Sequence, residues 1–297
     1  MADARDTRFV VQFDPRLADR IRSLALQRMV FFAGLPGTGK SLLVHQLTHI
    51  ARASGRSVHL LQWDIARPVF EASDTGRRYP LADGVTHPVI RKAAGVWVRQ
   101  AIAEWRDRHP ASEHLLVGET PFVGHRFIEL AHRLDDRAEP LLTDRSCTFV
   151  IAVPSTEVRH FLEAERERRA ADPLHPRERE DAPPSVLRDL WRDLTRVARQ
   201  MRISVPVTTG RDDTDPVPYA PDVYQKVYER ILRYRNVDVV NLDVILPTRQ
   251  LSVYDFVDAP TPLIPGEAEI KACIQAVERD GTDTATLENE IARWWQV

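Results

Sequence analysis

Lys40 and Ser41 are the residues whose type and spacing point most directly to chemistry. They close the run Gly34-Leu35-Pro36-Gly37-Thr38-Gly39-Lys40-Ser41, which satisfies the phosphate-binding spacing G-x-x-x-x-G-K-[ST]. A polyphosphate needs closely spaced backbone N–H groups, and glycines let the backbone approach without Cβ clashes. Gly34, Gly37, Thr38, Gly39, Lys40, Ser41 and Leu42 are the expected cradle. A helix starting there adds unpaired N–H groups and a positive dipole end. Lys40 would reach the outer phosphates, and the Ser41 hydroxyl would bind Mg²⁺. Only four of the 41 basic residues are lysines and glycine numbers 12, so chance explains the match poorly.

Further charged residues fall at positions that suit a phosphate's neighbours. Asp64-Ile65-Ala66-Arg67 follows an apolar run directly. Asp64 can orient or deprotonate an acceptor hydroxyl. Arg67, three residues on, shares its helix face and can hold an anionic acceptor group with two hydrogen bonds. Glu119 ends the buried run Leu115-Leu116-Val117-Gly118. It can bind Mg²⁺ through water beside Ser41, or bind the acceptor instead. Residues 158–171 contain Arg159, Arg166, Arg168 and Arg169, and a polar, proline-containing stretch follows. The segment of about residues 157–184 suits a lid that brings Arg166 and Arg169, with Arg159 next, to a transferring group. Glu163, Glu165 and Glu167 allow the plainer reading, a solvated helix of Glu–Arg pairs. The ten histidines show no metal-ligand cluster in sequence, and His45 and His49 lack the glutamate of H-E-x-x-H.

These residues need elements to hold them. Residues 13–27 pattern as a helix with Asp14-Pro15 at its start. A strand over 30–33 runs into the glycine loop, and a helix carrying Leu43, Leu47 and Ile50 leaves it. Residues 57–63 read as a second strand, and His87-Pro88 opens a helix through Trp105. Further strands are expected over 115–118, 147–153 and 237–246, with a short one over 203–208. Further helices are expected around 127–134, from 158, up to Met201 and over 224–234. Strands alternating with helices imply a mostly parallel sheet with ligands at its carboxyl ends. Residues 248–266, with Pro260, Pro262 and Pro265, read as a linker or surface strap. Helices over 267–277 and 286–295 follow, and Trp294-Trp295 should pack on the core or on a partner. The division expected is 1–246 for the main domain and 247–297 for the strap and C-terminal helices.

Composition bounds the function. At 297 residues and 43% hydrophobic content, one large α/β domain with an appendage can bury a sizeable core. A net charge of −2 makes no global case for nucleic acid, though a local basic patch stays open. Cys147 and Cys273 read as ordinary core thiols of a reducing compartment. Residues 1–8 lack an apolar signal core, and no apolar run is long enough to span a membrane. The expected location is the cytoplasm.

The order of glycine loop, Asp64-x-x-Arg67, Glu119-Thr120-Pro121 and an arginine-rich segment resembles the P-loop kinases of small molecules and nucleotides. Adenylate, shikimate, adenylylsulfate and zeta-toxin-like kinases form this group. The resemblance spans about residues 30–246, and its specific part is the glycine loop. It departs where Gln62-Trp63 precedes Asp64, because the second, glycine-flanked aspartate often seen in the group is missing. The resemblance implies a three-layer P-loop fold with an arginine lid, ATP and Mg²⁺ as ligands, and phosphoryl transfer to an unidentified small acceptor. Lys40, Asp64, Arg166 and Arg169 would be catalytic. Asp64, Arg67 and Glu119 would hold the acceptor, and Ser41 and Glu119 the metal. Two other readings stand beside it: an ATP-driven switch or partner-binding ATPase, and a polynucleotide 5′-kinase.

Overall fold

The computed structural model describes residues 9–82, 84–206, 217–248, 251–256, 260–280 and 283–297, with only the backbone of residue 180. Helix α1 (Pro15–Leu24) follows a short 3₁₀ turn and is capped by Asp14, which accepts from the amides of Arg16 and Leu17. Strand β1 (Met29–Ala33) is buried along its whole length. Next come α2 (Lys40–Ala53), β2 (Ser57–Gln62), α3 (Trp63–Ala72) and α4 (Pro88–Arg108). After them come β3 (His114–Thr120), α5 (Glu139–Thr143), β4 (Cys147–Pro154) and α6 (Thr156–Ala171). The chain continues through α7 (Pro184–Gln200), α8 (Pro221–Ile231), β5 (Val237–Leu242) and β6 (Thr261–Pro262). It ends with α9 (Glu267–Arg279) and α10 (Thr284–Ala292).

The six strands form one sheet in the order β5-β4-β1-β3-β2-β6, and every pair is parallel. Alternation along β1 feeds two cores, as the two-residue period of a strand requires. Val30 and Phe32 face a cluster with Leu17 and Ile21 of α1 and Leu43 and Leu47 of α2. Met29, Phe31 and Ala33 face the opposite cluster with residues of α3, α4, α7, α8 and α9. Phe31 stacks on Phe149 at 5.0 Å, and a Cβ on Gly118 would meet Phe31 at 2.2 Å. Glycine at 118 therefore makes room for that ring.

From β1 the chain skips a place to reach β2, returns to β3, then crosses to β4 on the far side of β1. Connections diverge at β1, so its carboxyl end is the crevice where such sheets bind ligands.

Several expectations are corrected. The helix around 127–134 is only a 3₁₀ turn, Ile128–Leu130, preceded by Phe127 in the left-handed region. Positive φ at Phe122, His125 and Phe127 bends this stretch into a tight hairpin, closed by the bridge Phe122–Arg126. The mostly parallel sheet expected is found, and each of its pairs among the described residues is parallel. Residues 203–206 form no strand, and 207–208 lie outside the described residues. Asp64 stands in the first turn of α3, not at the end of β2. The proline-rich segment is more than a linker: it holds a 3₁₀ turn, Val253–Phe256, and adds β6 to the sheet beside β2. Trp294 is buried in the α4-side core and Trp295 packs against it. Among the described residues no helix is long and apolar enough to cross a membrane.

Candidate functional site

The loop 34–39 emerges from β1 at its carboxyl end and turns through three glycines with positive φ: Gly34 (148°), Gly37 (74°) and Gly39 (83°). Side chains would be strained at all three. Gly34 is also packed from behind: an added Cβ would lie 2.0 Å from the Tyr224 hydroxyl. A Cβ on Gly37 would meet Leu187 at 2.8 Å and Arg159 at 3.3 Å. Within the loop, the Thr38 hydroxyl donates to the Leu35 carbonyl at 2.9 Å.

Helix α2 starts at Lys40, with Gly39 as an N-cap that offers no side-chain acceptor. The first intrahelical bond runs from Leu43 N–H to the Gly39 carbonyl at 3.2 Å. The amides of Lys40, Ser41 and Leu42 precede it and have no carbonyl within the helix. Together with the helix dipole they are suited to an anion.

Lys40 is buried under this loop. Its Nζ donates to the Leu35 carbonyl at 2.7 Å and lies 3.6 Å from Glu119 Oε1. Burial lowers its pKa, while the charges of Glu119 and Asp64 oppose that effect and Arg166 adds to it. Glu119 sits opposite Phe32 in the β1–β3 ladder, one residue from the end of β3. Its Oε2 is 3.5 Å from the Ser41 hydroxyl and 3.2 Å from Gln62 Nε2. A hydroxyl and a carboxylate, both oxygen donors, suit a hard cation such as Mg²⁺.

Asp64 is exposed in the first turn of α3, and its charge acts on both Lys40 and Arg126. Arg67 follows one turn later but is engaged within its own helix, Nη1 to Glu71 Oε2 at 2.9 Å. Glu71 is further held by the Thr86 hydroxyl at 2.9 Å.

Arg126 was not legible beforehand. Its position depends on the hairpin, and no spacing signals it. The hairpin is fastened by Arg91, which donates to the Gly124 carbonyl at 2.8 Å, and by Tyr228, which donates to the Pro121 carbonyl at 3.1 Å. Beneath it, His125 and Glu129 form a buried pair at 2.6 Å. Burial pulls the Arg126 pKa down, the Asp64 charge pulls it up, and Arg67 pulls it down again. The charges of Asp64 and Arg67 thus both reach Arg126, beside the carboxyl ends of β2 and β3.

The arginines of α6 are arranged differently from the expectation. Arg159, ranked third, is the one on the loop: its Nη1 donates to the carbonyls of Pro36 at 3.2 Å and Gly37 at 3.0 Å. Its Nε donates to Glu163 at 2.7 Å, and the guanidinium lies over the Tyr219 ring. Arg166 donates to the Ala182 carbonyl at 2.9 Å and faces Asp181 at 3.7 Å, yet its charge reaches Lys40. Arg169 pairs with Glu178 at 2.5 Å and with Glu165 at 3.4 Å.

No protein-family model, curated protein or solved structure matches this chain. The functional reading rests on the site itself.

Proposed function

We propose that this protein is a P-loop phosphotransferase that moves the γ-phosphoryl group of Mg·ATP to a small hydroxyl- or phosphate-bearing acceptor. One observation carries the reading: Lys40, Ser41 and Glu119 converge at the carboxyl ends of β1 and β3, under a glycine loop with free helix amides. Nucleotide phosphates would lie along residues 34–42. Lys40 would exchange its present acceptor, the Leu35 carbonyl, for a phosphate oxygen. A phosphate's charge would hold the buried ammonium protonated against the pull of burial. Ser41 and Glu119 would hold Mg²⁺, which supplies charge neutralisation on the phosphates. Asp64 would orient the acceptor hydroxyl, and Arg126 and Arg67 would draw in an anionic group on the same molecule. Arg159 would keep the loop in shape through its two carbonyl bonds, and Arg166 would add positive charge as transfer proceeds.

The first test is nucleotide binding. Mg·ATP should raise the melting temperature of the wild type, and Lys40→Ala should lose most of that rise while melting cooperatively. A ligand that binds only the native state must stabilise it. Equal rises in the two proteins would remove Lys40 as a phosphate ligand. The second test is transfer. A metabolite pool incubated with protein and ATP should yield one species heavier by a phosphoryl group. With that acceptor, Asp64→Asn should keep ATP binding and lose about a hundredfold or more in turnover. ATP hydrolysis without any phosphorylated product would favour the switch reading instead.

A further inference from the structure

We propose that His59, His109 and His114 form a binding site for one divalent transition-metal ion of the zinc class, separate from the nucleotide site. His109 and His114 bracket one short connection, His59 lies far from both in sequence, and folding brings one ligand nitrogen of each to within 4.8 Å of the others. His59 lies on β2, His109 caps the C-terminus of α4, and His114 opens β3. Parallel pairing of β2 with β3 puts the first and third on neighbouring strands two residues out of register, hence diagonal to each other on one face. His59 Nε2 and His114 Nδ1 are already 3.1 Å apart. The rings of His59 and His109 are 4.4 Å apart between centres, and those of His109 and His114 4.5 Å. Zinc–nitrogen bonds of about 2.0–2.1 Å in a tetrahedron put donor nitrogens about 3.3–3.4 Å apart, a spacing between the 3.1 Å of the His59–His114 pair and the 4.8 Å limit for all three, so modest ring rotations would seat an ion.

The connection carrying two of the rings is braced. Arg28 donates to the carbonyls of His109 at 2.6 Å and His114 at 3.0 Å. Arg56 donates to those of Ser112 at 2.8 Å and His114 at 3.0 Å. Backbone held in this way fixes ring positions before an ion arrives, which lowers the ordering cost of binding. Trp105 closes one side, edge-on to His59 at 5.8 Å. His59 is buried, whereas His109 and His114 are half-exposed, so an ion can enter and water can complete its shell.

An all-imidazole donor set selects zinc, nickel or copper over magnesium and calcium, which demand oxygen. The site would therefore not compete for the Mg²⁺ expected at Ser41 and Glu119. It also lies at the other end of the strands. His59 is level with Leu116 and Met29, near the start of β1, whereas Glu119 is three residues further along β3. At ~3.3 Å per residue this is about 10 Å of sheet. Arg28 opposes a cation, but its guanidinium is committed to two carbonyls and to the Trp105 face at 5.3 Å. A bound ion would tie the end of α4 to β2 and β3.

The experiment uses the untagged full chain, stripped with chelator, without nucleotide. Zn²⁺ alone should bind at one equivalent and raise the melting temperature, and Mg²⁺ should do neither at this site. His109→Ala and His114→Gln should each melt in chelator as the wild type does and bind Zn²⁺ more than a hundredfold more weakly. That exceeds the 10–100-fold loss from removing a group that merely supports a ligand. Co²⁺ bound to the wild type should give the visible absorption of a tetrahedral site, and this reading needs no variant to fold. Absence of saturable Zn²⁺ binding, unchanged affinity in both variants, or a Co²⁺ spectrum of the fully hydrated ion would each overturn the site.

Discussion

Gly34 shows how one residue joins scaffold to site. Its φ of 148° and the Tyr224 hydroxyl behind it leave no space for a methyl group. Gly34→Ala should destabilise the protein by about 1–3 kcal/mol, the range for overpacking a close-packed interior. Adding Tyr224→Phe removes the nearest atom and leaves ring carbon 3.3 Å from the new Cβ. Denaturant melts should show the double variant recovering part of the loss, but not the share that comes from the backbone angle. A double variant no better than the single one would place the whole cost in the backbone. His45, on α2, provides a pH test. Burial, and secondarily the Arg177 charge, hold its pKa down to about 4 from an ordinary 6.5. Between those values the unfolded chain binds the proton and the folded chain does not. The contribution of His45 is therefore complete above about pH 6.5 and is lost as pH falls toward 4. Stability measured at pH 7 and pH 5 should drop less in His45→Gln than in the wild type; an equal drop would show that this ring does not titrate with folding. Residue types in the loop were legible because phosphate chemistry restricts both type and spacing at Gly34, Gly39, Lys40 and Ser41. Glu119 was legible because it ends an apolar run. Arg126 and the three-histidine cluster were not, since tertiary structure alone brings Arg126 near Asp64 and His59 to the pair His109 and His114.

At the scale of elements, the segment expected as a lid carries side-chain contacts that tie it to residues 251–254. The Glu178 carboxylate is 2% exposed. It accepts from Arg169 at 2.5 Å, from the Ser252 hydroxyl at 2.6 Å and from the Leu174 amide at 2.8 Å. Tyr254 donates to Asp181 at 2.9 Å, stands 5.3 Å from the His175 ring and lies under the Arg177 guanidinium. The 3₁₀ turn Val253–Phe256 thus joins α6 and the following stretch to the far end of the chain. Sequence charge density suggested mobility, because pairing partners some 70 residues away carry no local signal. Glu178→Ala would leave Arg169 with only its longer contacts, Glu165 among them, and would remove the acceptor of Ser252 and Leu174; it should lower stability by about 3 kcal/mol, within the range for breaking a buried ion pair. Hydrogen exchange should quicken over residues 172–183 first. Mg·ATP with acceptor should slow exchange across 157–184 in the wild type. Unchanged exchange in both comparisons would make the segment a fixed part of the scaffold, with no lid role. Strands and long helices were legible from their burial: β4, covered on both faces, is nearly continuous apolar sequence, and α4 keeps helical spacing for its full length. The expected helix after β3 failed because apolar residues at helical spacing do not register a backbone held at positive φ, as at Phe127.

For the whole molecule, the question is whether residues 247–297 are an attachment or part of the single folding unit. The expectation from sequence was an appendage packed on the core. The structure gives that segment a larger share. Strand β6 pairs with β2 at His59–Thr261 and Leu60–Pro262, and so covers an otherwise open sheet edge. Helix α9 buries Ile270, Cys273, Ile274 and Val277, and α10 with the tail buries Leu287 and Trp294, all in the larger core. Polar contacts hold the same surfaces: Cys273 Sγ to Gln100 at 3.5 Å, Lys92 to Glu290 at 3.0 Å and Arg78 to Glu278 at 2.9 Å. At about 1.5–3 kcal/mol for each large apolar side chain, these burials amount to at most about 9–18 kcal/mol. Domains are stable by only about 5–15 kcal/mol in total. A chain ending at residue 246 would also expose the partner face on α4 and an unpaired β2 edge, both prone to association. Calorimetry of that shortened chain should show no cooperative transition, and dye binding should report exposed apolar surface. If it instead melts cooperatively and keeps the thermal response to Mg·ATP, the last fifty or so residues are dispensable to the fold, and their role must be sought in binding a partner.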